Sequence, residues 1–211
     1  MLFESKDPPA VPLWVNGHAF LTMAPAFHDV LSPSDGRVLR RTPLCSGDIA
    51  ATVMDVAMKA RAGWRTLAES ERGELCLILA GELERYSDHV CGLIVDETGK
   101  TSDAAGADVA TAVKVLRQPN AEGASKEAAV VAIVCNPGTL MAGPLKAAVG
   151  ALIGGATVIV KPDPAVPSAL VALGELTGRC GFPPGVFNVL HGGKEVVDGL
   201  LEVPGVQVQF V

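Results

Sequence analysis

Aromatic side chains are scarce in this sequence: six Phe, two Trp and one Tyr make up 4% of 211 residues. Any core must therefore be packed mainly by aliphatic side chains. Clustered positive charge is also missing. The formal charge is −6 and no Lys/Arg-rich run occurs, which excludes an electrostatic nucleic-acid surface. The five cysteines (Cys45, Cys76, Cys91, Cys135, Cys180) contain no CxxC pair, and the four histidines show no metal-ligand spacing. Free thiols in a reducing, cytoplasmic compartment are the simplest reading. The opening MLFESKDPP has neither a basic segment nor an apolar one, so a signal peptide is not expected. A membrane span is not expected either. The longest uncharged part of the apolar region, Ala147 to Val160, is shorter than the roughly 20 residues a spanning helix needs.

What the chain does have is concentrated in residues 128–162, AAVVAIVCNPGTLMAGPLKAAVGALIGGATVIVKP. The uncharged β-branched run at Val130–Val134 predicts a strand buried on both faces. Asn136-Pro137-Gly138 breaks it. An Ala/Leu-rich helix begins near Ala142, and Gly154-Gly155 can end it. Thr157–Val160 is a second strand. Strand, helix and strand in about 30 residues make the βαβ unit of a parallel sheet.

Upstream, Asn16-Gly17 inside PLWVNGHAF predicts a hairpin, and FHDVLSPSDGRVL predicts another; both read as small surface hairpins. Met1 to Ala10 reads as a tail. A helix is predicted over 46–68, capped by Ser46 or Asp48 and closed by Trp64. A second, from Ser70, carries Leu75, Leu77, Ile78, Leu79 and Leu83 at helical spacing. A third runs from Asp88 to Asp96-Glu97-Thr98-Gly99-Lys100, with Gly99 as its C-cap and Glu97 and Lys100 as solvated charges. A fourth covers 101–116. Residues 118–127 read as a linker. After Lys161-Pro162, a helix opens at Pro167-Ser168 and ends at Gly178 or Gly181. A strand over 186–190, a helix over 195–201 and a strand over 206–211 complete the chain. The expected division is 1–117 for hairpins and helices, 118–127 for the linker, and 128–211 for a partial dinucleotide-binding domain.

The stretch ending in TVIVKP resembles the aldehyde dehydrogenase superfamily, as do the spacing of Trp64, Glu71-Arg72 and Glu97-Thr98-Gly99-Lys100 and the opening hairpins. FPPGVFNVLHGGKEVVDGLLEVPGVQVQFV looks most like its methylmalonate-semialdehyde dehydrogenases. The resemblance implies an α/β fold: N-terminal helices and hairpins, then a partial Rossmann-like parallel sheet of about four strands. It also implies NAD or NADP as cofactor and oxidation of an aldehyde or semialdehyde. Lys161 matches the lysine that bonds the adenine ribose, and Gly192 a glycine that lets adenine approach. Pro164 stands where the family has an acidic ribose partner, with Asp163 one position early. Gly138 stands at the position of the oxyanion-stabilising Asn. The family's catalytic Cys and Glu lie downstream of the strand that here reaches Val211, so no catalytic residue is assigned. Cys135 lacks a neighbouring base and reads as a buried thiol.

These implications lead to an enzyme-family chain that is inactive alone and binds the cofactor weakly or not at all. Two alternatives are a non-catalytic docking partner or lid for a full-length relative, and a residual adenine-nucleotide binder. The uncharged strand at 206–211 is expected to need a second copy or another protein partner along its edge.

Overall fold

The computed structural model describes residues 7–120 and 128–211. Strands β1 (Leu13–Val15) and β2 (His18–Phe20) form one hairpin, and β3 (Ala26–Leu31) and β4 (Val38–Leu44) a second. Helices α1 (Gly47–Trp64), α2 (Glu69–Arg85), α3 (Ser87–Thr98) and α4 (Ser102–Arg117) follow. The chain then alternates through β5 (Val130–Val134), α5 (Ala142–Ile153), β6 (Thr157–Lys161), α6 (Ser168–Arg179), β7 (Phe187–Val189), α7 (Lys194–Leu201) and β8 (Val206–Phe210). Of the expected linker, residues 121–127 lie outside the described residues, as do residues 1–6 of the expected tail. Residues 9 and 10 run beside β4, where Arg41 donates its amide to the Pro9 carbonyl (2.9 Å).

The main sheet has six strands in the order β2-β1-β7-β6-β5-β8. The four expected strands β5 to β8 are parallel. β1 joins antiparallel to β7 through Trp14 and Val189, so the first hairpin is part of the sheet and not a separate surface feature. Its turn is formed as expected, with Asn16 (φ 53°) and Gly17 (φ 77°) both left-handed, the geometry that Asn-Gly favours. Trp14 lies across α6, where a side chain at Gly174 or Gly178 would bring a Cβ within 2.8 Å of the indole. Gly178 is therefore a packing glycine inside the helix, and Gly181 (φ 84°) makes the turn after it.

Alternation along the central strands builds two apolar layers. Val131, Ile133, Val158 and Val160 face the larger one, with side chains of α2 to α6. Val130, Ala132 and Ile159 face the smaller one, with side chains of α1 and α7. Among the described residues no helix is long and apolar enough to cross a membrane.

Polar side-chain groups from other elements tie the helix ends down. Trp64 Nε1 donates to the Leu152 carbonyl (3.1 Å), and Arg72 donates to the Ile153 carbonyl through Nε (3.0 Å) and Nη2 (2.7 Å). These bonds satisfy carbonyls that end α5. At the start of α1 neither Ser46 nor Asp48 caps; Glu195 Oε1 instead accepts the Gly47 amide (2.9 Å). In α2, Cys76, Leu79 and Leu83 are buried while Leu77 and Ile78 face solvent, because only one stripe of the helix meets the core.

Candidate functional site

Open parallel sheets bind ligands beyond the carboxyl ends of their strands, where the strand order reverses. Here α5 and α6 carry the chain from β5 to β7 on one face, and α7 returns it on the other to β8. The strand ends that meet there lead into Cys135-Asn136, Lys161-Pro162-Asp163, His191-Gly192-Gly193 and Val211.

Lys161 is 6% exposed, not the solvated strand-end charge its position suggests. Its Nζ donates to the Pro162 carbonyl at 3.2 Å, its one hydrogen-bond acceptor among the described residues. Burial lowers its pKa, against the pull of Asp163 and Cys135. An ammonium has three donors, so a ligand oxygen would find Lys161 under-satisfied. Asp163 is partly committed elsewhere. Its Oδ1 accepts the Ala165 amide (3.1 Å), and its carbonyl accepts the Val166 amide (3.1 Å), closing the turn before α6.

Gly192 begins the neighbouring strand connection. A Cβ there would fall 2.3 Å from Val196 Cγ2, so the missing side chain makes room for α7 of this same chain. Beside it, His191 is fully enclosed. Its Nε2 lies 3.0 Å from the Pro12 carbonyl, and its Nδ1 is buried without a partner. Burial, reinforced by Lys161, holds its pKa down at about 4. Sequence reasoning passed over His191; the only hint was its place at a strand end beside two glycines.

The phosphate side is different. Helix N-termini attract anions through free amides and the helix dipole. At α5 two of those amides are taken: Asp108 Oδ2 accepts from Met141 (2.9 Å) and Ala142 (3.4 Å). At α6 Glu97 Oε2 accepts from Ser168 (3.1 Å). Both ends already hold a protein carboxylate. The under-satisfied Lys161 could take hydroxyl oxygens such as those of an adenosine ribose, and a diphosphate at either helix start would meet a protein carboxylate.

Gly138 (φ 81°) is exposed in the turn after β5, with no side-chain donor to offer an oxyanion. The turn is anchored by Asn136, whose amide donates to the Val211 carbonyl (2.7 Å), and by Thr139 Oγ1, which donates to the same oxygen (2.9 Å). Burial pushes the Cys135 thiol up to about 12, more than Lys161 can offset, so it carries almost no thiolate at neutral pH.

The aldehyde dehydrogenase family pattern matches residues 22–141 and 130–211. This chain belongs to the aldehyde dehydrogenase family. It is 30% identical to the malonate-semialdehyde dehydrogenase of Pseudomonas aeruginosa, over 87% of this chain and 41% of that protein. It is 25% identical to the mitochondrial acylating methylmalonate-semialdehyde dehydrogenase of Arabidopsis thaliana, over 99% of this chain and 38% of that protein. Aldehyde dehydrogenase C of Pseudomonas syringae, solved as a mutant with NAD+ and octanal, shares the fold with a TM-score of 0.84 at 21% identity. That match covers 94% of this chain and 44% of the other. The chain thus spans about two fifths of the length of the curated relatives it matches.

Proposed function

We propose that residues 128–211 form the adenosine side of an NAD(P)-binding domain in an aldehyde- or semialdehyde-oxidising enzyme, and that these 211 residues do not perform the oxidation by themselves. The observation that carries this reading is Lys161: a buried ammonium at the carboxyl end of a central strand, with one protein acceptor for three donors. Ribose hydroxyls would supply the missing acceptors. Asp163, with one carboxylate oxygen left over, and the backbone at Gly192 would border them. NAD(P), when bound, supplies the hydride acceptor. This chain's part is to place the adenosine end. With a protein carboxylate already at the starts of α5 and α6, affinity rests on Lys161 and its neighbours and falls in about the millimolar range.

The same reading assigns no catalytic residue. Acyl-transfer chemistry on an aldehyde needs a nucleophile with a base and an oxyanion donor. Cys135 is buried and protonated, and Gly138 offers no side chain. The chain incubated with an aldehyde and NAD or NADP should give no absorbance of the reduced cofactor above a blank. Turnover that disappears in Cys135→Ala would overturn the assignment.

A second reading, a docking partner for a longer relative or for another copy, is favoured by β8. Among the described residues only one of its edges is paired, to β5, and Phe210 beyond Val206 and Val208 is 57% exposed. We propose that this edge receives a further strand or a covering chain, within a homo-oligomer or with a protein partner. Five unpaired thiols suit the reducing cytoplasm.

A further inference from the structure

Glu97 reads from sequence as a solvated charge at the end of α3, and the structure overturns that: it is 6% exposed. Its Oε1 accepts from Ser168 Oγ at 2.5 Å and its Oε2 accepts the Ser168 amide at 3.1 Å. Arg40 of β4 closes the group, with Nη1 2.7 Å from Ser168 Oγ and 3.4 Å from Glu97 Oε1. Burial pushes the Glu97 carboxyl upward, and the Ser168 bonds and Arg40 pull it back. Isolated charges are not kept in such a place without partners.

The object held by this cluster is the loop 162–167. Pro162, Pro164 and Pro167 have no amide hydrogen, so the loop has few donors with which to anchor itself. Ala165 and Val166 donate only back to Asp163. Its outside anchors are Thr42 Oγ1, which donates to the Pro164 carbonyl (2.7 Å), and the Glu97–Ser168 cap at its far end. At its near end stands the Pro162 carbonyl, the acceptor for Lys161 Nζ.

We propose that Glu97, braced by Arg40, is a positioning residue for Lys161. It fixes the end of the loop whose first carbonyl aims the Lys161 ammonium, and so links the N-terminal helices to the nucleotide side of the sheet. The ligand part of this inference rests on the adenosine reading above; the Lys161 geometry does not.

The test follows the Lys161 ε-carbon resonance in 13C-lysine-labelled protein through a pH titration, then with AMP added. Glu97→Ala should raise the Lys161 titration midpoint toward that of an exposed lysine and weaken AMP binding about tenfold. Glu97→Gln keeps an acceptor for the Ser168 amide and should give a smaller change in the same direction. Glu195→Ala removes a comparable cap from α1 and should lower the melting temperature while leaving the Lys161 resonance in place. If Glu97→Ala does not fold, Glu97→Gln decides by the same readouts. A Lys161 resonance unmoved in the Glu97 variants overturns the positioning role. AMP binding unchanged in Lys161→Ala overturns the adenosine reading instead.

Discussion

The two edges of the six-stranded sheet differ in the length of their last strand and in what holds it. At one, the β1–β2 hairpin pairs with β7 through β1, is locked by Trp14 over Gly174 and Gly178, and leaves only the three-residue β2 outermost. The Asn16 amide also donates to Asn188 Oδ1 (3.2 Å), and His191 meets the Pro12 carbonyl. At the other edge, β8 has β5 on one side and, among the described residues, no strand on the other. Its sequence, VQVQF, contains neither a charge nor a proline, the usual protections of an exposed edge. Gln207 even buries a side-chain oxygen without a partner among the described residues. The difference teaches that a short edge strand held by packing leaves little backbone unpaired, whereas β8 leaves five residues of uncharged strand.

The largest test removes the lock. Trp14→Ala should cost about 3–5 kcal/mol, since a buried indole is lost and the groove between two glycines cannot refill. Denaturant unfolding measures the cost. If the hairpin detaches, β7 replaces the short β2 as the open edge on that side, and self-association should increase.

Next is the His191 contact, which can be loosened by pH alone. Its folded pKa of about 4 lies below the unfolded value near 6.5. The unfolded chain therefore binds the proton first, and His191's share of stability is full above pH 6.5 and lost as pH falls toward 4. The loss should be roughly 3 kcal/mol, and His191→Gln should flatten that part of the stability–pH curve. An unchanged curve in the variant would remove His191 from the lock.

The smallest change in stability should come at the open edge. Phe210→Lys alters an exposed side chain and should shift unfolding by no more than about 0.5 kcal/mol. Yet it adds a protecting charge, so sedimentation at micromolar concentration should show a dimer becoming a monomer. A wild-type monomer with no response to the substitution would remove the proposal of an edge partner.

The contrast also marks how far sequence carries. The four parallel strands were legible because each is a β-branched or alternating run between turn residues, and the Gly99 cap (φ 67°) because an αL position needs glycine. What β1 does was not legible. Asn-Gly predicts a hairpin turn but says nothing of the strand that pairs on the hairpin's far side. The Glu97 reading failed for the same reason. Its neighbours in sequence are helix-end charges, while its partners, Arg40 and Ser168, come from β4 and α6. The cap of α1 by Glu195 is equally non-local. Lys161 was singled out through its resemblance to a family motif, while its burial depends on packing that no motif records.

The central claim is that this chain holds the adenosine side of the cofactor site and not its diphosphate side. Binding of AMP and NAD to the same protein, followed by NMR, tests it most directly. The account predicts dissociation constants in about the millimolar range for both, within a few-fold of each other, and both weakened by Lys161→Ala. A micromolar constant for NAD that Lys161→Ala leaves unchanged would contradict it.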